Sequence, residues 1–486
     1  MSPEDSSTAS SSRAPVPEGT VSVAVGLFIN GISTYVFFKI GQQALGQDGF
    51  KPIVTMWFIA FALVPGFFLP IEQETSRALA HRRALGQGGL PVIKRIIPLA
   101  AMIFGGLLVA LAISARSVTS NLFESNATVT LALLLMLLTY APMHIARGLS
   151  SGQGKFSNYA LIIGLDGTIR VAVCAALWLG GIENTGVYAV AVGLSPIVGV
   201  ILVAIRGDLR LHDGPPASWS EITPNLGWLL LGSLFAAALV NAGPITVDIL
   251  GSNEPAAVVT RFGNAVIFAR IPLFLFQAVQ AALLPKLARL AAQGDMVEFR
   301  NGLRRLVLLV VGVGVVGTLG AFAIGPWVLD LVYDGGIDRR TMCLLAAASA
   351  IYMLALALAQ AVIALRGHAA VAYGWIIGFV SFGLVAWLAC SDLYLRVELA
   401  LVASSVVSLA VFAWVITPAH TIHDIFADHQ DTADNFCKLY HSHLGTHLEE
   451  QHTHCDILKL DSPVYDITQI VSVNNVFSRI NSSIPL

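Results

Sequence analysis

Arg270 stands inside the apolar run Phe262 to Leu284. Val266, Ile267, Leu273 and Phe274 fill the positions three and four residues away, so no acid on its own helix face can neutralise it. Gln277 follows seven residues on, on the same face, and Pro272 interrupts the helical hydrogen-bond ladder beside it. A guanidinium at mid-membrane depth is costly unless it faces protein, a partner or a wet cavity, and irregular backbone in membrane bundles is found where it lines such cavities. Two readings follow: a cavity-lining cation for an anionic ligand, or an ion pair with another helix through Asp248 or Asp166.

Other polar residues interrupt apolar runs. Asp166 and Arg170 lie four apart in YALIIGLDGTIRVAV, acid first, as a favourable helical pair requires. They form either a neutralised structural pair or an arginine that Asp166 orients toward an anion. Lys39 either snorkels to the headgroups or faces a cavity, with Asn30, Thr34, Phe37 and Gly41 making a neighbouring stripe. Tyr140, His144, Arg147 and Ser151 recur at the helical period, as a solvated boundary or a polar entry portal. Glu74 is spaced to pair with Arg77, which leaves Glu72 for another basic group. Asn241 and Asp248 share a run with a Gly-Pro step between them. Asp248 reads first as a cap or loop charge, and alternatively, like Asp166, as a carboxylate that couples transport to protons or sodium.

These residues need helices long enough to hold them in lipid. The chain is 56% hydrophobic and only 12% charged over 486 residues, with a mean hydropathy of +0.74. Soluble chains carry about 25% charged residues. A bilayer core asks for about 20 apolar residues per helix. Runs of that kind cover 21–45, 50–70, 92–113, 128–147, 159–179, 186–205, 226–248, 261–285, 303–323, 341–365, 369–389 and 397–418. They are too long and too evenly apolar for the alternating strands of a membrane barrel. The sequence therefore predicts an all-α polytopic membrane protein of about 12 transmembrane helices. Loop charge fixes its expected orientation: Lys51, Arg116, Arg261, Arg339, Arg340 and Arg396 fall on one side, against a larger set from Arg77 to Arg366 on the other. The basic side is cytosolic, which puts both termini inside.

The segments PIEQETSRALAHRRALGQGG at 70–89 and QAALLPKLARLAAQGD at 280–295 recur six spans apart. So do the turns AlaLeuGly at 44–46 and IleLeuGly at 249–251. An even spacing gives two parallel six-helix bundles. The expected organisation is a disordered cytosolic arm at 1–20 without secretory-signal character, bundles at 21–206 and 226–418, a cytosolic linker at 207–225 and a polar tail at 419–486.

No phosphate-binding loop followed by Lys and Ser or Thr is present, and HTIHDIF lacks the Glu of a zinc-protease helix, so enzymatic activity and a cofactor are not expected. A net charge of −2 gives no sign of nucleic-acid binding. Cys174, Cys343, Cys390, Cys437 and Cys455 are too scattered for a disulfide framework. The tail is rich in histidine, and His441, His443, His447, His452, His454 and Cys455 are weak metal ligands at spacings that match no zinc module. It reads as an accessory cytosolic region or as sequence beyond a frame break.

RIPLFLFQAVQAALLPKLARLAAQGD at 270–295, with SRALAHRRALGQGG at 76–89, resembles the eighth helix and cytosolic turns of one known group. This is the polysaccharide-exporter branch of the multidrug, oligosaccharidyl-lipid and polysaccharide exporter superfamily, which includes O-antigen and exopolysaccharide flippases. The resemblance covers 21 to about 418 and leaves the tail without a counterpart. It implies two bundles around a V-shaped central cavity in the cell membrane, and movement of a polyprenyl-pyrophosphate-linked saccharide to the outer leaflet by alternating access. It also implies a sufficient monomer, with neighbouring polymerase or glycosyltransferase partners. By position, Arg270 and Lys39 become basic cavity residues and Arg77 a residue of the cytosolic mouth. Arg170, Gln277 and Asn30 complete the candidate set. A multidrug extruder shares the span plan but binds organic cations and calls for a carboxylate-rich cavity. A peptidoglycan-precursor flippase shares the taste for anions but usually has two further helices.

Overall fold

The apolar runs form helices throughout the computed structural model, which describes residues 19–222, 226–273, 276, 287, 290–291, 293–333 and 335–417. The helices are α1 (Thr20–Ala84), α2 (Leu90–Leu122), α3 (Ala127–Gly152), α4 (Phe156–Leu179), α5 (Thr185–Ile205), α6 (Leu226–Leu250), α7 (Ala256–Ala269), α8 (Met296–Tyr333), α9 (Arg339–Ala364), α10 (His368–Leu388) and α11 (Leu393–Thr417). A 3₁₀ turn at Trp219–Glu221 lies between α5 and α6. No strand occurs among the described residues. Ten of these helices are long and apolar enough to cross a membrane, and α7 reaches that length only with its continuation through Arg270 to Leu273.

Among the described residues α1 supplies two membrane-length arms, because it turns back on itself at Gly46, whose φ of 70° and ψ of 175° are non-helical. In one straight helix Phe37 and Trp57 would be about 30 Å apart. Their rings lie 5.6 Å apart, and Phe50 packs edge-on against Phe37 and Phe38 at 5.7 and 5.4 Å. Glycine is needed at the reversal because a side chain disfavours that positive φ. The first two apolar runs are thus the two arms of one helical hairpin.

Helices α1–α5 pack as one lobe and α6–α11 as a second, and the second arm of α1 lies along α6. At Gly66 the backbones meet: a Cβ there would sit 2.9 Å from Leu234 Cα. Polar side chains fasten the same seam, with Ser233 Oγ donating to Pro65 O at 3.0 Å and Asn241 Nδ2 to Phe61 O at 2.9 Å. Tryptophans mark the membrane boundary. Trp57 and Trp375 are buried, whereas Trp178, Trp219, Trp228, Trp327, Trp387 and Trp414 are exposed near helix ends, where amphipathic rings sit at headgroup level.

At the end opposite Gly46, Arg82 is buried and gathers the connecting segments. It donates to Gly88 O at 3.0 Å, to Pro215 O at 2.8 Å, and with two nitrogens to the Glu221 carboxylate at 2.8 and 3.1 Å. The Arg82 guanidinium, helped by the Ser218 N–H, holds the Glu221 carboxyl down to about 2. A depressed carboxyl stabilises the fold above its ordinary value of 4.5, and this contribution is lost as pH falls toward about 2. Acidification through that window is expected to loosen the 206–222 segment, read as faster proteolytic nicking there, whereas Glu221→Gln nicks readily at all these pH values. Equal pH dependence in the two proteins would remove Glu221 as the cause.

Candidate functional site

The break predicted beside Pro272 is present. α7 ends at Ala269, and Arg270 takes φ −94° and ψ 3° as the cap before the chain turns helical again at Ile271. The Arg270 side chain returns toward α6, where Nη1 donates to Asn241 Oδ1 at 3.0 Å and Nη2 to the Val240 carbonyl. Its guanidinium carbon lies 5.4 Å from the centre of the Phe58 ring. Neither acid proposed as its partner reaches it: among the described residues no carboxylate pairs with Arg270. The nearest titratable groups are the Tyr352 and Tyr35 hydroxyls. A guanidinium has five N–H donors, and no nitrogen of Arg270 is both buried and unpartnered. The donors that α6 leaves unused therefore open on a narrow recess of about 20 Å³, lined by Tyr352, Ser349 and Ser405 together with apolar side chains such as Leu239, Val266, Leu345 and Leu401.

The Asp166–Arg170 pair is closed instead. Both side chains are 1% exposed, with Arg170 Nη1 3.6 Å from Asp166 Oδ2. Tyr140 and Ser195 donate to Asp166 at 3.0 and 3.1 Å, while Arg170 Nη2 donates to Asn30 Oδ1 at 3.1 Å and the guanidinium lies over Trp57 at 4.7 Å. Asn30 is thereby committed to Arg170. A ligand reaches this pair only by opening the lobe.

The periodic stripe on α3 also turns inward. Glu72 is buried between His144 Nδ1 at 2.7 Å, Arg147 Nη2 at 3.1 Å and the Tyr159 hydroxyl, which donates at 3.0 Å. With Tyr140 and Asp166 these groups form a polar column through the first lobe. Ser151, by contrast, bonds Ser76 at 2.9 Å.

Asp248 is not a loop charge. It is buried in α6 and pairs with Lys51 at 3.0 Å and with Thr55 at 2.8 Å, while Lys51 also reaches Glu124 at 3.3 Å. Gln42 and Asn264 exchange hydrogen bonds at 2.7 and 3.1 Å, and Arg261 donates to Gln47 Oε1 at 3.1 Å. These contacts join α1 to α6 and α7 on the Gly46 side. Lys39 is half-buried and has no hydrogen-bond or ion-pair partner among the described residues. Arg77 pairs with Glu74 at 2.5 Å, also donates to Glu221 O, and keeps half its side chain exposed. Gln277 and the tail ligands His441, His443, His447, His452, His454 and Cys455 lie outside the described residues. Among the described residues no group of three or more His, Cys, Asp or Glu is placed to hold a metal ion.

A helical hairpin followed by further apolar helices in two lobes matches solved transporters. The fold is that of the MATE proteins. An inward-facing multidrug resistance MATE family transporter of the MOP superfamily superposes with a TM-score of 0.66 at 12% identity, covering 82% of this chain and 98% of that one. The Vibrio cholerae MATE transporter VcmN, in its bent form, gives 0.58 at 14% identity, covering 83% and 99%. A MATE protein in complex with MaD5 gives 0.63 at 12% identity, covering 84% and 96%. In sequence, uncharacterized proteins of Mycobacterium bovis and Mycobacterium tuberculosis are 28% identical over 429 residues, 84% of this chain and 94% of theirs. No family model matches the chain.

The sequence alone did not point to Asn241 as the partner of Arg270, or to Tyr352, Ser349 and Ser405 around it. Only their polarity within apolar runs marks them. Glu398 was also missed, although it is the one charged residue of the last apolar run.

Proposed function

We propose that the protein is a membrane transporter whose cargo is anionic, a polyprenyl-pyrophosphate-linked saccharide carried from the inner to the outer leaflet by alternating access of its two lobes. The observation that carries this reading is Arg270, a membrane-embedded guanidinium with no carboxylate partner among the described residues and with donors open to a small recess that Tyr352, Ser349 and Ser405 share with apolar side chains. A diphosphate accepts hydrogen bonds from a guanidinium in bidentate fashion, with the charge-assisted strength that desolvated sites favour. Lys39, half-buried and unpartnered among the described residues, supplies a second cation on the first lobe. The lipid tail stays in the bilayer while the headgroup crosses between the lobes.

In this reading the chain sits in the cell membrane with both termini cytosolic, the Gly46 side faces out, and Arg77 stands at the cytosolic mouth. The Lys51–Asp248 and Gln42–Asn264 contacts then close the outer side. A monomer suffices, and polysaccharide polymerase or glycosyltransferases are the expected neighbours.

The fold also favours a second reading, a cation-coupled multidrug extruder. Such a protein needs an accessible carboxylate in its cavity, whereas Asp166 and Asp248 are each buried and neutralised by their own base. A peptidoglycan-precursor flippase remains the anionic alternative. Proteoliposomes separate the three: the full-length protein is expected to reorient polyprenyl-pyrophosphate saccharide and to leave cationic dyes in place. Dye efflux driven by a proton or sodium gradient, without lipid movement, would sink the proposal. Movement of only a peptidoglycan precursor would redirect it.

A further inference from the structure

Glu398 lies in the first turns of α11 and is 0% exposed. Its Oε1 accepts from Thr341 Oγ1 at 2.6 Å, while Oε2 is buried without a hydrogen-bond partner. The nearest cation is Arg340, whose Nε is 3.7 Å from Oε2, beyond hydrogen-bond reach. That guanidinium is 43% exposed and also stands 3.8 Å from Asp338 and 3.6 Å from Asp392. One half-exposed arginine is thus shared among three carboxylates.

An ionised carboxylate removed from water loses its hydration, a loss that only close pairing and full hydrogen bonding offset. Glu398 has a single hydroxyl donor and a divided share of a distant charge. A neutral carboxylic acid has a far smaller demand, because no net charge is left to solvate. We propose that Glu398 is a proton-binding site of the second lobe, loaded in this conformation, and that release of its proton accompanies opening on the Gly46 side.

The surrounding groups connect the two events. Asp338, Arg340 and Thr341 face Glu398 from the start of α9, and Asp392 faces it from the segment before α11. Tyr394 lies one turn earlier on α11 and is faced by Glu254 and by Arg261 of α7. The Tyr394 hydroxyl donates to Val258 O at 2.7 Å, and its ring packs on Phe262 at 5.0 Å. Arg261 in turn holds Gln47 of α1. When the proton leaves Oε2 for water, by way of the half-exposed Asp392 or Asp338, the new carboxylate draws Arg340 into hydrogen-bond contact. This tightens α9 on α11 and shifts Tyr394 against α7, the helix that holds the outer half of α1. The carboxyl loses one proton and water gains it, and no other bond changes.

The experiment uses full-length protein in lipid nanodiscs. Infrared difference spectra across a pH step report protonated carboxyl groups. Spin labels at positions 183 and 252, in a background with the native cysteines replaced, report separation of the lobes on the Gly46 side. A carboxylic C=O band is expected in wild type and absent in Glu398→Gln, whose amide still accepts from Thr341. Thr341→Val is expected to shift that band without removing it, which keeps the assignment testable if the first variant folds poorly. The label distance is expected to change with pH in wild type and to be fixed in Glu398→Gln. A band unchanged by either substitution overturns the proton site. A band lost in Glu398→Gln alongside a pH-independent wild-type distance overturns the link to opening. Neither readout involves cargo, so failure here and failure of the flippase reading are separate results.

Discussion

Arg270→Ala is expected to weaken binding of a polyprenyl-diphosphate saccharide by about ten- to a hundredfold, the loss of one charge-assisted hydrogen-bonding group worth about 1.5–3 kcal/mol, and to slow its reorientation in proteoliposomes in step. The change leaves two acceptors without their donor, Asn241 Oδ1 and Val240 O, the latter because the residue four on is Pro244, which has no N–H, so the melting temperature is measured beside binding to show that the protein is folded. Asn241 Nδ2 retains its own bonds to Phe61 O and Ala237 O at 2.9 and 2.8 Å. Arg270→Lys is the sharper probe: it preserves the charge and removes the planar fork, so it separates a need for positive potential from a need for two parallel N–H bonds. If the fork matters, the lysine variant stays close to the alanine variant in affinity. Tightly bound diphosphate in Arg270→Ala, with the protein folded, would remove Arg270 from the site and leave the half-buried Lys39 as the remaining cation to test.

The elements of this fold were legible in the sequence because lipid imposes a rule that composition obeys: a span must be long, apolar and helical. The reversal between the first two runs was legible as well, because Gly46 closes the AlaLeuGly turn at 44–46 and is where α1 leaves helical geometry. Side-chain pairs within one helix were equally legible. Asp166–Arg170 and Glu74–Arg77 formed at the spacings that predicted them. Pairs between helices were not, because nothing local encodes them. Glu72 looked like a carboxylate waiting at a cytosolic end, and the stripe of His144 and Arg147 looked like a solvated boundary or an entrance. Packing of α1 on α3 and α4 brings them together into a buried column. Asp248 read as a loop charge because it lies near a run's end, and Glu398 went unnoticed at the start of another. Position along a span predicts depth in the membrane, but whether a side chain faces the bundle depends on helix rotation, which neighbouring helices decide.

That distinction has its largest energetic consequence at Asp166. Asp166→Asn would leave Arg170 at 1% exposure with no anion near it, its Nε and Nη1 already lacking hydrogen-bond partners. Removing one member of a buried ion pair costs about 3–5 kcal/mol, so a large fall in thermal stability at fixed detergent concentration is expected. Arg170→Met should cost less. Asp166 would keep its donors Tyr140 and Ser195, and the methionine would fill the space over Trp57. The double variant should recover most of the loss, because exchanging a whole buried pair for groups of similar volume is often nearly neutral. The coupling in this cycle measures what the pair does. A coupling of several kcal/mol makes Arg170 a structural cation whose charge is already spent on Asp166, which leaves anion binding to Arg270 and Lys39. A coupling near zero would mean that the two charges are solvated independently, which requires water in the lobe and returns Arg170 to the set of residues a diphosphate can reach.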